Sequence, residues 1–394
     1  MRVVIAPDTF KSTMTAVQAA RAISDGWADV RPGDRVTLRP MADGGEGTLD
    51  AFASLAGAQR LPLETVDALG ELRQASWVRL EDGTGVVELA HCCGLGTIGH
   101  LAPREAHTYG FGLAIRAALD AGVRRLLLAL GGSASTDGGL GLLVALGLGV
   151  GRDPRKGTEN LSLPRKGLDV DNPHRGPESV GISSPFTEHF GNAALQEVTE
   201  VDWAGVVPLP EDGALVLSDV TNPLLGPFGA AAVFGPQKGG ASLVAEMDQN
   251  LARWAALVGG DPNAPGAGAA GGAGFALQLW GATTTSGARV VADVIGLREA
   301  MEDADLVITG EGSFDAQSFS GKAVDVVRQL AVEVAQSRGR DLPVALIAGR
   351  RDADFGGPAV ALWDFAGERA LRDPVGVARE AARQLALQVT EERR

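Results

Sequence analysis

Lysine is nearly absent from this chain: of 35 basic residues only five are lysine and the other thirty are arginine. Cysteine is scarcer, two in 394 residues, and the pair, Cys92 and Cys93, is adjacent. Neighbouring thiols cannot staple distant parts of a chain, and two are too few for a structural zinc site, so a disulfide framework and a zinc-built fold are both excluded. They are expected as small apolar core residues. Positive net charge is missing too. With 49 acidic residues the chain carries −14, which argues against nucleic acid or an anionic membrane surface as partner. Small anions remain possible at loops that are locally electropositive. No uninterrupted apolar run is long enough to span a bilayer, and MRVVIAPD leads into an apolar strand without a basic leader or signal core, so a cytoplasmic location is expected.

What is present is length for two or three domains and an alternating texture. Short β-branched runs alternate with alanine-rich amphipathic stretches, the pattern of α/β layers around mainly parallel sheets. Strands are expected at Val3 to Ala6, Arg35 to Arg39, Leu126 to Leu130, Leu215 to Ser218, Leu306 to Thr309, Val344 to Ala348 and Val360 to Phe365. Between Leu61 and Leu89 alternation broken by Ala68-Leu69-Gly70 and Glu81-Asp82-Gly83 reads as antiparallel hairpins of a different sheet. The first texture returns near Leu306. One domain is therefore expected from both chain ends, residues 1–60 plus 286–394, with a second, 61–285, inserted between them. From Arg152 to Asn192 the chain is rich in proline and polar residues without periodicity, which predicts a mobile surface insertion whose deletion leaves activity within about tenfold.

Residues with chemistry gather after the expected strands. The first strand ends in Asp8, followed by Thr9, Lys11 and Ser12 at the start of a helix; the second ends in Asp43-Gly44-Gly45-Glu46-Gly47. Glycines let backbone approach a ligand closely, while Asp43 and Glu46 can act as base, hydroxyl acceptor or metal ligand. Gly131-Gly132-Ser133-Ala134-Ser135-Thr136-Asp137 follows LLLAL and reads as an anion nest with a magnesium ligand. Ser218-Asp219-Val220-Thr221-Asn222, then Gly235-Pro236-Gln237-Lys238, and Gly310-Glu311-Gly312-Ser313-Phe314-Asp315-Ala316-Gln317 leading to Lys322 complete the set. Three of the five lysines, Lys11, Lys238 and Lys322, fall in these loops. In a chain that otherwise uses arginine, this points to a compact ammonium placed among phosphate oxygens. Neither GxxxxGK[ST] nor a dinucleotide fingerprint is present; PGAGAAGGAG lacks the required strand and acid.

At these residues the chain resembles the bacterial type I glycerate kinases, through APDTFKST, PMADGGEGT, LGGSASTDGG, SDVTNP, FGPQKG, PGAGAAGG and ITGEGSFDAQSFSGK, in that order. The resemblance implies a two-domain α/β protein with a discontinuous Rossmann/flavodoxin-like parallel-sheet domain, an inserted mixed α/β domain, and an active site in the cleft between them. It implies transfer of a phosphoryl group from ATP to D-glycerate, with the 2-phosphate as product. Two departures stand out: the polar insertion where the family makes a short turn, and Phe111 and Leu113 where Thr and Glu are more familiar, a change expected in a binding loop.

Phosphoryl transfer needs cations to neutralise nucleotide phosphates, an acid to orient or deprotonate the acceptor, and water exclusion. On that inventory Asp43, Asp219, Lys238 and Lys11 are the catalytic candidates. Gly132, Ser133, Asp137, Gly310, Glu311, Asp315, Gln317 and Lys322 are assigned to ATP, and Asp137 and Asp219 to Mg2+. Asp8, Gly44, Gly45, Glu46 and Asn222 are assigned to the substrate. A kinase for another small hydroxy acid, and a non-catalytic binder of a phosphorylated metabolite, are the alternatives; the dense acid set speaks against the second because like charges repel the ligand.

Overall fold

The computed structural model describes residues 1–10, 13–152, 190–319 and 321–391. Lys11 and the expected insertion between 153 and 189 lie outside the described residues, and the side chain of Gln317 is likewise not described.

Among the described residues there are thirteen strands: β1 (Arg2–Pro7), β2 (Arg35–Leu38), β3 (Gln59–Val66), β4 (Leu72–Arg79), β5 (Thr84–Glu88), β6 (Arg125–Ala129), β7 (Gly149–Arg152), β8 (Val198–Asp202), β9 (Ala214–Leu217), β10 (Thr283–Thr285), β11 (Leu306–Phe314), β12 (Val344–Arg351) and β13 (Ala359–Ala361). One sheet runs β13-β12-β11-β1-β2, and every pairing in it is parallel. Counted along its own strands that order is 2-1-3-4-5, the flavodoxin-type arrangement, whose direction of winding reverses between β1 and β11. A second sheet runs β10-β9-β6-β5-β4-β3, and β7 and β8 form a separate two-stranded one. The second sheet is parallel from β10 to β5 and antiparallel through β4 and β3, as the hairpin signals predict.

Alternation along β1 shows how the layers stack. Val3 and Ile5 face a core completed by the helices Ala16–Val30 and Pro374–Glu391. Val4 and Ala6 face the opposite way, into a core that also holds Val86, Leu127 and Leu217 of the second sheet. The helices Thr48–Ala53, Gly287–Val294, Leu297–Glu302 and Ala323–Arg338 contribute to this shared middle layer. The far face of the second sheet carries the largest core, against Tyr109–Asp120, Leu140–Ala145, Val244–Val258 and Ala273–Trp280. Strands buried on both faces explain the continuous apolar runs VVIA and LLLA.

Three expectations change. The strand expected at Val360 to Phe365 is only Ala359–Ala361, after which Leu362–Ala366 is helical. At this sheet edge the strand has a neighbour for three residues only, and beyond them only Leu362 is buried. Phe111 lies in a helix and is fully buried in the core, not in a binding loop. The boundaries of the insertion are also narrower than composition suggests. Arg152 ends β7, pairs with β8, and directs its buried guanidinium to Glu197 at 3.4 Å. Asn192 is fully buried, its amide donating to the carbonyls of Thr136 and Met247 and its oxygen accepting from Asn250. Both residues belong to the folded body.

Candidate active site

The carboxyl ends of the two sheets meet. The loop after β2 touches the loop after β6 through a hydrogen bond from the Gly131 N–H to the Gly44 carbonyl, 3.1 Å. Approach is close enough to demand glycine. Gly44 has φ 89°, and a side chain there would start 2.3 Å from the Leu217 carbonyl oxygen; one on Gly131 would start 2.3 Å from the Gly45 Cα. The switch point of the first sheet opens at the same place, where the Asp8 N–H donates to the Gly310 carbonyl at 2.7 Å. In open α/β sheets such a reversal leaves a crevice beyond the strand ends.

Around this junction Asp43, Asp219, Glu311, Asp315 and Lys322 share one electrostatic neighbourhood. Burial raises the pKa of Asp219, and the Asp43 charge pushes it the same way; hydrogen bonds from Ser286 and the Gly287 N–H, with Lys322 beyond them, oppose the rise. Asp219 is nevertheless solvent-exposed on one side. Glu311 is also held above the usual carboxylate range, chiefly by burial, with Ser318 and Lys322 opposing and Asp315 and Asp43 adding to the rise. One of its oxygens, Oε1, is buried with no hydrogen-bond partner. Asp43 turns one oxygen back to the Gly45 N–H at 2.9 Å, which sets its orientation. Glu46, exposed, borders a hollow of about 330 Å3 that also reaches Thr9, Gln18, Glu88 and His91. A larger hollow, about 410 Å3 between Arg39, Asp82 and Ile295, holds none of the expected site residues.

Asp137, expected at ATP and Mg2+, and Lys238, expected as catalytic, are both turned inward. Asp137 is fully buried, and its carboxylate accepts from the Thr108 N–H and hydroxyl at 2.8 and 2.7 Å and from the Gly139 and Gly141 N–H groups at 3.2 Å. With four donors on two oxygens, the group is spent on tying the loop after β6 to the start of the helix Tyr109–Asp120. Lys238 is only 2% exposed; its ammonium donates to the Ser133 hydroxyl at 2.8 Å and the Ser135 carbonyl at 2.5 Å. Burial lowers its pKa to about 8, against the pull of Asp137. The Asn222 amide likewise closes a local turn onto the Phe228 carbonyl. Cys92 and Cys93 are buried, as expected, and burial pushes the Cys92 thiol up to about 12.

Glu88, Ser286 and Gly287 lie outside the motifs, and Ser318 lies inside ITGEGSFDAQSFSGK without having been singled out. Glu88 carried a legible signal, an acid ending the apolar strand TGVVE. The other three, Ser286 and Gly287 at the start of the helix Gly287–Val294 and Ser318 in the short turn Ala316–Phe319, have parts that depend on which acids fold against them.

No group of three or more His, Cys, Asp and Glu residues among the described residues is arranged to hold a metal. A phosphate-bridged magnesium needs less, since it keeps several waters and takes only one or two carboxylates with substrate oxygens. The mutual repulsion of Asp43 and Asp219 and the orphaned Glu311 oxygen are what such a cation would relieve, so the donor set fits it. No helix among the described residues is long and apolar enough to cross a membrane.

The glycerate kinase family profile matches residues 3–163 and 184–361. The chain is 36% identical over 372 residues to the glycerate 2-kinase of Escherichia coli K12, covering 90% of this chain and 87% of that protein. It is 36% identical over 369 residues to the glycerate kinase of Bacillus subtilis 168, with 90% and 86% covered. A crystal structure from Salmonella typhimurium LT2, described as a glycerate kinase 2, superposes with a TM-score of 0.76 at 31% identity, over 100% of this chain and 99% of that one. A chain matched along nearly its whole length in sequence and in fold, with acids and a lysine gathered where two sheets meet, belongs to the glycerate kinase family.

Proposed function

We propose that the chain phosphorylates D-glycerate with ATP to give 2-phosphoglycerate, in the cleft between two domains formed by residues 1–60 with 286–394 and by residues 61–285. The observation that carries the reading is the convergence of Asp43, Asp219, Glu311 and Lys322 at the facing carboxyl ends of the two sheets. The name of the Escherichia coli relative favours the 2-phosphate, and a nucleotide donor is in keeping with a cytoplasmic location.

Asp43, oriented by the Gly45 N–H, takes the proton of the acceptor hydroxyl. Gly44, Gly45, Glu46 and Asp8 shape the acceptor side. Gly131, Gly132 and Ser133, with Gly310, Asp315, Gln317 and Lys322, border the nucleotide phosphates, and Lys11 is retained as a phosphate ligand from its motif. Asp219 and Glu311 would hold magnesium, which when bound supplies charge neutralisation of the phosphate oxygens. Lys238 contributes from behind the loop: its ammonium fixes the Ser133 hydroxyl and lends positive charge to the backbone in front of it. Asp137 and Asn222 keep loops in shape and touch no reactant.

The test is ADP release with magnesium and D-glycerate, L-glycerate or no acceptor, with the product resolved by phosphorus NMR. Release confined to the D-glycerate arm with a 2-phosphate product is expected. Equal release without acceptor, or none from folded protein, overturns the reading; turnover only with other C3 to C5 hydroxy acids would reassign the substrate.

A further inference from the structure

Glu88 is the last residue of β5 and is 4% exposed. Its two carboxylate oxygens accept from the N–H of Gly47 at 3.2 Å and of Leu49 at 2.7 Å, on the segment that carries Asp43 and Glu46. The bond therefore joins the second sheet to the acceptor loop of the first. A buried carboxylate is expensive unless compensated, and here compensation comes from backbone dipoles alone. Burial pushes its pKa up to about 7, Asp50 and Glu46 push it the same way, and only the two N–H groups oppose. The other titratable groups facing it are Cys92, whose thiol it helps to raise, and His91, which borders the same hollow. A neutral side chain of the same shape would avoid this cost while losing half of the grip on the loop.

We propose that Glu88 is a positioning residue of the kinase site, whose carboxylate holds the Asp43 to Gly47 turn at the acceptor side through the N–H groups of Gly47 and Leu49. This rests on the assignment of that turn to the acceptor. When the carboxylate is ionised both oxygens accept; when it is protonated one becomes a donor, and one of the two N–H groups is released. Loop order, and with it turnover, then rises through neutral pH.

Glu88→Gln tests this, because it is fixed in the released state at all pH values. At pH 8.5 its kcat should fall about tenfold or more, since small misplacements of reacting groups carry large rate costs, while KM for ATP stays put. At pH 6 variant and wild type should converge. Hydrogen exchange provides a readout independent of activity: the amides of Gly47 and Leu49 should lose protection in the variant at pH 8.5. Equal kcat at pH 8.5 with unchanged exchange assigns Glu88 to stability alone and overturns the proposal. A wild-type enzyme without glycerate-dependent turnover would instead defeat the acceptor assignment, and the exchange result would still judge the grip of Glu88. Should Glu88→Gln fail to fold, the wild-type amides decide. Corrected for intrinsic exchange and taken relative to the core amides of β1, which report the global stability, they must be better protected at pH 8.5 than at pH 6; equal relative protection overturns the proposal.

Discussion

The Lys238 ammonium donates to the Ser133 hydroxyl from a position that is 2% exposed, so its charge sits behind the glycine loop after β6 and not in front of it. Lys238→Arg then has two costs. The wider guanidinium must be packed into a filled site, at about 1–3 kcal/mol of overpacking, and it displaces the loop. Both the melting temperature and turnover are expected to fall; a variant with native melting temperature and full turnover would mean that the site has room to spare.

Lys238 also predicts a stability trend in alkali. Its pKa is about 8 when folded and near 10.5 when unfolded, so between these values the unfolded chain binds more protons. Stability should therefore rise with pH across that window, and urea unfolding of Lys238→Met should lack this contribution.

Asp137→Ala should be damaging without being a metal defect. Removing an acceptor of four buried donors leaves them unsatisfied, at roughly 1–3 kcal/mol for each donor not rescued by water. A large fall in the denaturant midpoint is expected. Magnesium dependence altered at native stability would restore Asp137 to the metal site.

Asp43→Asn is expected to behave in the opposite way. The side chain keeps its shape and can still accept from Gly45, while a neighbouring like charge is removed from Asp219. Turnover should drop about a hundredfold or more, in the range of general-base losses, with the thermal midpoint unchanged or slightly higher. Retained turnover would move the base elsewhere.

Mild acid should stabilise the fold. Glu88, Asp219 and Glu311 all have raised pKa values, Glu88 up to about 7, so the folded state binds more protons than the unfolded one as pH rises out of the ordinary carboxylate range. Stability should thus fall as pH rises through the Glu88 value of about 7. The Glu88 share is on the order of 3 kcal/mol, and Glu88→Gln should flatten the slope accordingly.

The insertion can be cut at two places with different outcomes. Deleting 164–183, the stretch outside both family-matched segments, should leave turnover within about tenfold. Deleting 152–192 also removes the buried Arg152 and Asn192 and should prevent stable folding, as circular dichroism against temperature would reveal.

Much of this protein is legible locally. Runs such as VVIA and LLLAL suit strands buried on both faces, the Leu61 to Leu89 alternation suits hairpins, and the acids and glycines after them stand at strand ends wherever the sheet is placed. Local pattern is sufficient there because backbone hydrogen bonding and side-chain periodicity act over a few residues. The fate of each polar group is a different matter. Asp43 and Asp137 stand alike, each in a loop rich in glycine, yet one lies among the acids at the junction of the sheets and the other is closed over by Thr108, 29 residues before it. Lys238 meets Ser133 across 105 residues, and Glu88 meets Leu49 across 39. Whether a charge is offered to a ligand or spent inside the fold depends on which donors arrive beside it and how much water they displace, and those neighbours are brought only by the packing of one sheet against the other.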